Sequence, residues 1–241
     1  MILYGRNAVA EALRAGRRPV REVWATEKVA REPWLAAAAR VHVTNAGDIA
    51  HRAEADNHQG VCADVDPYHY AGAAELLAVP APLILALDEV QDPQNLGAIC
   101  RSAECAGVTG VVIPERRAAE VTPAVCRASA GAVEWLRLAR VRNLADFLDD
   151  AKTAGCWTYG AAAGAESVNY LEPDWTGGVV LVMGAEGKGL RPRVEQSCDQ
   201  LVALPLRGRI ESLNVSAAAA ALLYGILHLR TQSDPGLDRT S

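Results

Sequence analysis

Aromatic residues are scarce in this sequence: Phe, Trp and Tyr make up 5% of its 241 residues, with a single Phe. Packing must rest on alanine, valine and leucine, which favours close helix–sheet layers. Half of the residues are hydrophobic, enough for a sizeable core, so wholesale disorder is excluded. No C-x-x-C pair occurs among the cysteines at 62, 100, 105, 126, 156 and 198. The histidines do not cluster with Cys100 and Cys105, so neither a zinc site nor a disulfide framework is expected. The thiols read as those of a reduced, cytosolic protein. No window reaches the ~18–20 apolar residues of a membrane span, and MILYGRNAVAEAL has no secretory stretch, so a soluble cytoplasmic chain is expected. A surplus of basic charge is also missing. Lys and Arg total 24 against 29 Asp and Glu, a net charge of −5, which counts against non-specific coating of nucleic acid. A local patch stays open: Arg14, Arg17, Arg18 and Arg21 fall close together and read either as an RNA contact or as a solvated helix end.

What is present divides in two. Residues 1–66 read as a small α/β unit. Asn7 is placed to cap a helix carrying Val9 and Leu13. Strands follow at 20–25, 41–44 and 61–65, with a helix at 33–40 and a turn at 57–60. Residues 67–80 contain Pro67, Gly72 and Pro80 and read as a linker, with a short helix at 73–78. From 81 to 231 strands and helices alternate. The strands are placed at 83–87, 110–113, 136–141, 158–162, 179–183 and 201–204, and the helices at 95–106, 123–130, 144–154 and 215–230. Fully apolar strands separated by helices predict an α/β fold with a mostly parallel sheet. Residues 232–241 read as a frayed tail.

Ligands of open α/β sheets bind where strands end and helices begin, and three such junctions carry polar residues. In LDEVQDPQNLGAICRSAECAG (87–107) a buried strand enters an acidic loop and a helix. Taken alone, Asn95 reads as its cap, Gly97 as a point of exposed backbone and Arg101 as a surface charge facing Glu104. In VVLVMGAEGKGLRPRV (179–194) a strand ends at Gly184, and further glycines let backbone N–H groups approach a ligand. This loop is neither a P-loop nor a dinucleotide fingerprint. Glu186 inside it is suited to accept a hydrogen bond or brace an arginine. In LVALPLRGRIESLNVSAAAAALLYGIL (201–227) a basic loop leads to Ser212 or Asn214 as the cap of an alanine-rich helix.

In this order, DPQNLGAICRSAECAG, VMGAEGKGL and LPLRGRIESLNVSAAAAALLYG resemble the three signature motifs of the SpoU/TrmH family of SPOUT RNA methyltransferases. The resemblance covers residues ~82–230. The early LYGRNAVAEAL is similar to the start of the family's amino-terminal substrate-binding domain, a ribosomal-protein-like fold. It implies a carboxyl-terminal parallel sheet tied in a trefoil knot, a homodimer with its site near the subunit boundary, and S-adenosylmethionine as cofactor. By motif position, Gly184, Leu204 and Leu213 would hold the cofactor, and Asn95, Arg101, Glu186, Ser212 and Asn214 would carry catalysis. Val215, Leu222, Ile226 and Leu229 are expected to be the buried positions of a helix that contributes to the dimer interface. Arg101 is expected to pair with RNA phosphate and position the 2′-hydroxyl, since a guanidinium hardly deprotonates. Glu211 departs from the family's pattern, where a small or polar residue is usual.

The implied reaction is methyl transfer to a ribose 2′-hydroxyl of a guanosine in large-subunit (23S) rRNA. Alternatives are the same chemistry on tRNA, an antibiotic-resistance enzyme with another ribosomal target, and a non-catalytic RNA-binding module. An unrelated α/β enzyme with a nucleotide cofactor is disfavoured by the missing glycine fingerprints.

Overall fold

The computed structural model describes residues 1–164, 166–210 and 212–233. Glu211 and most of the expected tail, residues 234–241, lie outside them.

The chain opens with β1 (Ile2–Tyr4), α1 (Arg6–Ala15) and β2 (Val20–Ala25). Two 3₁₀ turns, Val29–Arg31 and Pro33–Ala37, precede β3 (Val41–Val43), α2 (Ala46–Ala53) and β4 (Val61–Val65). These strands form a sheet in the order β1-β4-β2-β3, antiparallel except for β2 with β3. The sequence reading missed β1 and α2, and it took a 3₁₀ segment for a helix. β1 has only three residues, too few to show periodicity. The first helix starts at Arg6 behind Gly5 with no side-chain cap, so Asn7 lies inside its first turn.

After α3 (Ala73–Leu77) come β5 (Leu83–Leu87), α4 (Pro93–Cys105), β6 (Gly110–Pro114), α5 (Pro123–Ala128) and a 3₁₀ turn, Ala132–Glu134. Then follow β7 (Leu138–Val141), α6 (Leu144–Thr153), β8 (Trp157–Ala161), β9 (Val168–Asn169) and β10 (Val179–Met183). The chain continues through α7 (Pro192–Gln196), β11 (Gln200–Ala203) and α8 (Val215–Ser233). The seven strands from β5 to β11 form one parallel sheet in the order β7-β6-β5-β10-β8-β11-β9. Every residue of β5, β6 and β10 is buried, as continuous apolar strands covered on both faces must be.

Alternate side chains of one strand reach opposite cores. Val179, Leu181 and Met183 face the layer of α4, α5 and α8, a core continuous with the amino-terminal unit through Leu3, Val9 and Val23. Val180 and Val182 face α6 and α7 through Phe147, Leu148 and Val194. A Cβ on Gly97 would lie 2.4 Å from Cβ of Ala128. This glycine is therefore buried and lets α4 meet α5 closely, rather than exposing backbone. α8 runs to Ser233, so residues 232 and 233 are helical rather than frayed. No helix among the described residues is long and apolar enough to cross a membrane.

Candidate active site

Parallel order places the segments after β5, β8, β10 and β11 at one edge of the sheet. Between the last three and the start of α8 lies a cavity of about 370 Å³. Its wall includes Gly184, Leu204 and Leu213, the three expected cofactor positions, together with Glu186 and Ser212. The sequence reading missed Ala161–Ala163 at the end of β8, which also line it. Three small residues after a strand carry no polar signature, and only the pairing of β8 with β10 and β11 brings them here.

The loop after β10 has a steric reason for its glycines. A Cβ on Gly184 would sit 2.2 Å from the carbonyl carbon of Gly189. The loop therefore folds directly back onto the strand end, closed by hydrogen bonds from Lys188 N–H (3.3 Å) and Gly189 N–H (3.0 Å) to the Ala185 carbonyl. Gly189 takes φ +67°, a left-handed conformation that glycine adopts without penalty. Beneath it, buried Asp88 at the end of β5 accepts from Arg191 N–H and Nε, each at 2.8 Å. This charge-assisted brace ties the glycine loop to the neighbouring strand.

At the mouth of the cavity the first turn of α4, the loop after β10 and the residue before α8 contribute one polar cluster. Asn214 Nδ2 donates to Asn95 Oδ1 at 3.0 Å and to Glu186 Oε2 at 3.1 Å, and Asn95 Nδ2 approaches the same carboxylate oxygen at 3.5 Å. Asn214 Oδ1 accepts from Ser216 N–H at 2.9 Å, so this residue also caps α8. Asn95 is not a cap: α4 begins at Pro93, and Asp92 accepts from Gln94 N–H at 3.0 Å. A polar depression of about 340 Å³, lined by Glu89, Gln91, Asp92 and Lys188, adjoins the cluster and shares Glu186 with the cavity.

Two expected catalytic residues stand apart from this cluster. Ser212 is exposed on the cavity wall. Arg101 is exposed on α4 and makes no ion pair with Glu104 or any other described residue. Six residues beyond Asn95, it lies about 9 Å further along the helix and on another side of it.

The arginine group divides. Arg18 is 3% exposed and pairs with Glu134, itself 2% exposed. Its Nε donates to Glu134 Oε2 at 3.0 Å and its Nη1 to the Asp66 carbonyl at 2.9 Å. The expectation that Arg18 contacts RNA is therefore corrected, since its donors are spent in the interior. Arg21 pairs with Asp66, Arg14 with Glu11, and Arg17 donates to the Leu136 carbonyl at 3.0 Å.

Burial pushes the thiols of Cys100 and Cys126 up to about 12, away from the thiolate form. No group of three or more His, Cys, Asp or Glu side chains among the described residues is placed to hold a metal ion.

Residues 82–224 match the model of the SpoU rRNA Methylase family, and residues 2–71 match a model described as RNA 2′-O ribose methyltransferase substrate binding. An uncharacterized tRNA/rRNA methyltransferase of Synechocystis is 38% identical over the whole chain, which spans 65% of that protein's length. A 23S rRNA (guanosine-2′-O-)-methyltransferase of Pseudomonas syringae is 40% identical over 95% of the chain and 96% of the relative. The AdoMet-bound crystal structure of an rRNA methyltransferase from Sinorhizobium meliloti superposes with a TM-score of 0.80 at 27% identity, covering 94% of this chain and 86% of that one.

Proposed function

The chain belongs to the SpoU rRNA methylase family, and on that premise we propose that it transfers a methyl group from S-adenosylmethionine to the 2′-hydroxyl of a guanosine in 23S rRNA. The observation that carries this reading is the convergence of Asn95, Glu186 and Asn214 at the mouth of the Gly184/Leu204/Leu213 cavity. Those side chains come from the three segments that also resemble the family's motifs.

The cavity fits the cofactor. Its size lies in the range of small-molecule sites. Leu204 and Leu213 offer apolar surface for an adenine, and the Gly184 crossing leaves no room for a side chain there. When bound, S-adenosylmethionine supplies an electrophilic sulfonium methyl. The protein must align the ribose oxygen with it and guide the departing proton. Asn214 and Asn95 hold the Glu186 carboxylate between the cavity and the polar depression, where it can accept a hydrogen bond from the ribose. Ser212 contributes a further hydroxyl on the wall.

Arg101 binds the RNA phosphate beside the reacting ribose, with its planar fork fixing the 2′-hydroxyl. It reaches the site across a dimer boundary, which accounts for its exposure and its distance from Asn95. The same boundary accounts for exposed apolar residues there: Leu206 (40%) and Leu213 (46%) on the cavity wall, with Ile210 (76%) in the loop between them and Tyr224 (50%) on α8. Val215, Leu222 and Ile226 are buried within their own chain, and Leu229 packs against the same core. The interface thus falls on the Tyr224 side of α8 rather than on those positions. Residues 1–66 form the RNA-binding unit, joined through 67–80 to the methyltransferase unit of 81–231, and the protein acts in the cytoplasm.

The test is methyl transfer from labelled S-adenosylmethionine to unmodified 23S rRNA and, separately, to tRNA, with the labelled nucleoside identified after digestion. We expect 2′-O-methylguanosine from 23S rRNA. Label in tRNA alone would move the protein to that substrate, and no transfer together with no cofactor binding would overturn the reading. Arg101→Lys keeps the charge but loses the bidentate fork. It is expected to lower turnover at unchanged cofactor affinity, and full turnover would exclude the fork-based role. Sedimentation is expected to show a dimer for the native chain and a monomer for Tyr224→Arg.

A further inference from the structure

Beyond the cavity, the carboxyl edge of the sheet continues past β5 to β6 and β7. Here the segments that follow the strands carry arginines instead of motif residues. Arg116 and Arg117 follow β6, and Arg140 and Arg142 lie at the end of β7. These segments are tied into one ledge. Ala119 N–H donates to the Val90 carbonyl at 2.9 Å, Glu115 N–H to the Val141 carbonyl at 2.9 Å, and Arg140 Nη2 to the Glu115 carbonyl at 3.2 Å. Arg117 Nη1 reaches Glu89 Oε1 at 3.3 Å, and Arg191 Nε stands 3.7 Å from the same oxygen. The ledge is thereby fixed to the loop that leads to Asn95 and to the segment that follows the glycine loop.

With Asp88, which already holds Arg191, the ledge sets Arg116, Arg117, Arg140, Arg142 and Arg191 against Asp88, Glu89, Glu115 and Glu120, a slight basic excess in a chain of net charge −5. Glu89 is matched by Arg117 and Arg191, and Glu120 by Arg140 at 3.1 Å. Arg116 and Arg142 are exposed without an ion pair among the described residues, Arg117 remains 72% exposed, and Glu115 is the carboxylate of the ledge left unmatched. Glu89 and Arg117 both hold left-handed backbone, at φ +59° each. Four other described non-glycine residues, Glu54, Gln59, Ala81 and Ala130, share this conformation, which marks tight turns. With strands about 4.8 Å apart, the ledge extends about 14 Å from β10 to β7.

The geometry points to an RNA-backbone track along this ledge, in which Arg116, Arg117 and Arg142 bind phosphates of the strand flanking the nucleotide at the cavity. The track lies in the sheet that holds the cavity, apart from residues 2–71. It holds the register of the RNA, since phosphate contacts position a nucleic acid without reading its sequence. The proposal rests on the reading of the chain as an RNA methyltransferase.

The test is the affinity of the full chain for unmodified 23S rRNA between 50 and 200 mM salt, with cofactor affinity measured in parallel. Each phosphate that is no longer neutralised removes roughly 0.7 from the slope of log K against log salt for a single strand. Arg116→Gln/Arg117→Gln/Arg142→Gln is therefore expected to bind RNA more weakly at low salt, with a slope shallower by about 2, and to bind S-adenosylmethionine as the native chain does. Arg116→Gln/Arg142→Gln spares the Arg117–Glu89 bond and is expected to lower the slope by roughly 1.4, which separates weaker phosphate binding from a rearranged loop. Native slope and affinity in both variants, with methyl transfer by the native chain intact, would overturn the track alone. Failure of the native chain both to bind and to methylate RNA would overturn the track together with the reading beneath it.

Discussion

Asn214 uses both ends of its amide at once. Its oxygen caps α8 by accepting from Ser216 N–H, and its nitrogen donates to Asn95 and Glu186. From the sequence the two roles look like alternatives; in the fold they are one residue's two faces. Asn214→Asp separates them, because aspartate caps as well as asparagine but brings a second carboxylate against Glu186. Thermal stability should change little. Methyl transfer should fall about 10- to 100-fold, in line with the ~1.5–3 kcal/mol of a hydrogen bond to a charged group. Unchanged transfer would leave Asn214 with capping alone. Ser212 shows the opposite case. The sequence offered it as a second cap, but in the structure it is only a wall residue of the cavity.

At the scale of elements, the loop after β10 is the most demanding piece of backbone. Its glycine pattern was legible as a ligand-approaching turn. The reason for Gly184 was not, because the atoms that exclude a side chain belong to Gly189 and Leu190, folded back on the strand end. Gly184→Ala must push the loop off the strand. Circular dichroism should show the fold retained, held by the fully buried β5, β6 and β10. Calorimetry should show loss of S-adenosylmethionine binding, and native affinity would mean that the loop relaxes without deforming the cavity. α8 teaches a related lesson. Its alanines and leucines predict a helix from propensity, but they are apolar on nearly every side. Only the packing of α8 on α4 decides that Leu222 and Ile226 turn inward and Tyr224 outward.

For the whole molecule, the Arg18–Glu134 pair joins the amino-terminal unit to the segment before β7. Both groups are shut away from water. Replacing such a pair with apolar residues need not destabilise a protein, but removing one partner strands the other charge. Arg18→Met leaves Glu134 buried and alone, and is expected to cost about 3–5 kcal/mol. Chemical denaturation would measure this. The salt dependence of RNA binding by the folded fraction should stay native, whereas a shallower slope would return Arg18 to the RNA-contacting group. The same scale explains how a chain of net charge −5 handles RNA. Along the proposed ledge Glu89 and Glu120 are matched by arginines, while Arg116 and Arg142 are exposed without an ion pair among the described residues.

What the sequence by itself determined is what neighbouring residues encode. Continuous apolar runs marked β5, β6 and β10 as buried parallel strands. An apolar stripe marked α4, helix propensity marked α8, and three polar junctions at strand ends marked where a ligand is expected. Glu186 and the expected cofactor positions Gly184, Leu204 and Leu213 are what the motif resemblance implies, and all four line one cavity. What only the tertiary structure decided depends on partners far away in the chain. Asn214 meets Asn95 from 119 residues off, and Arg18 meets Glu134 from 116. An arginine's charge, read along the chain, looks the same whether it faces RNA or a buried carboxylate. Its role is set by desolvation and pairing, and those exist only once the two sheets have packed.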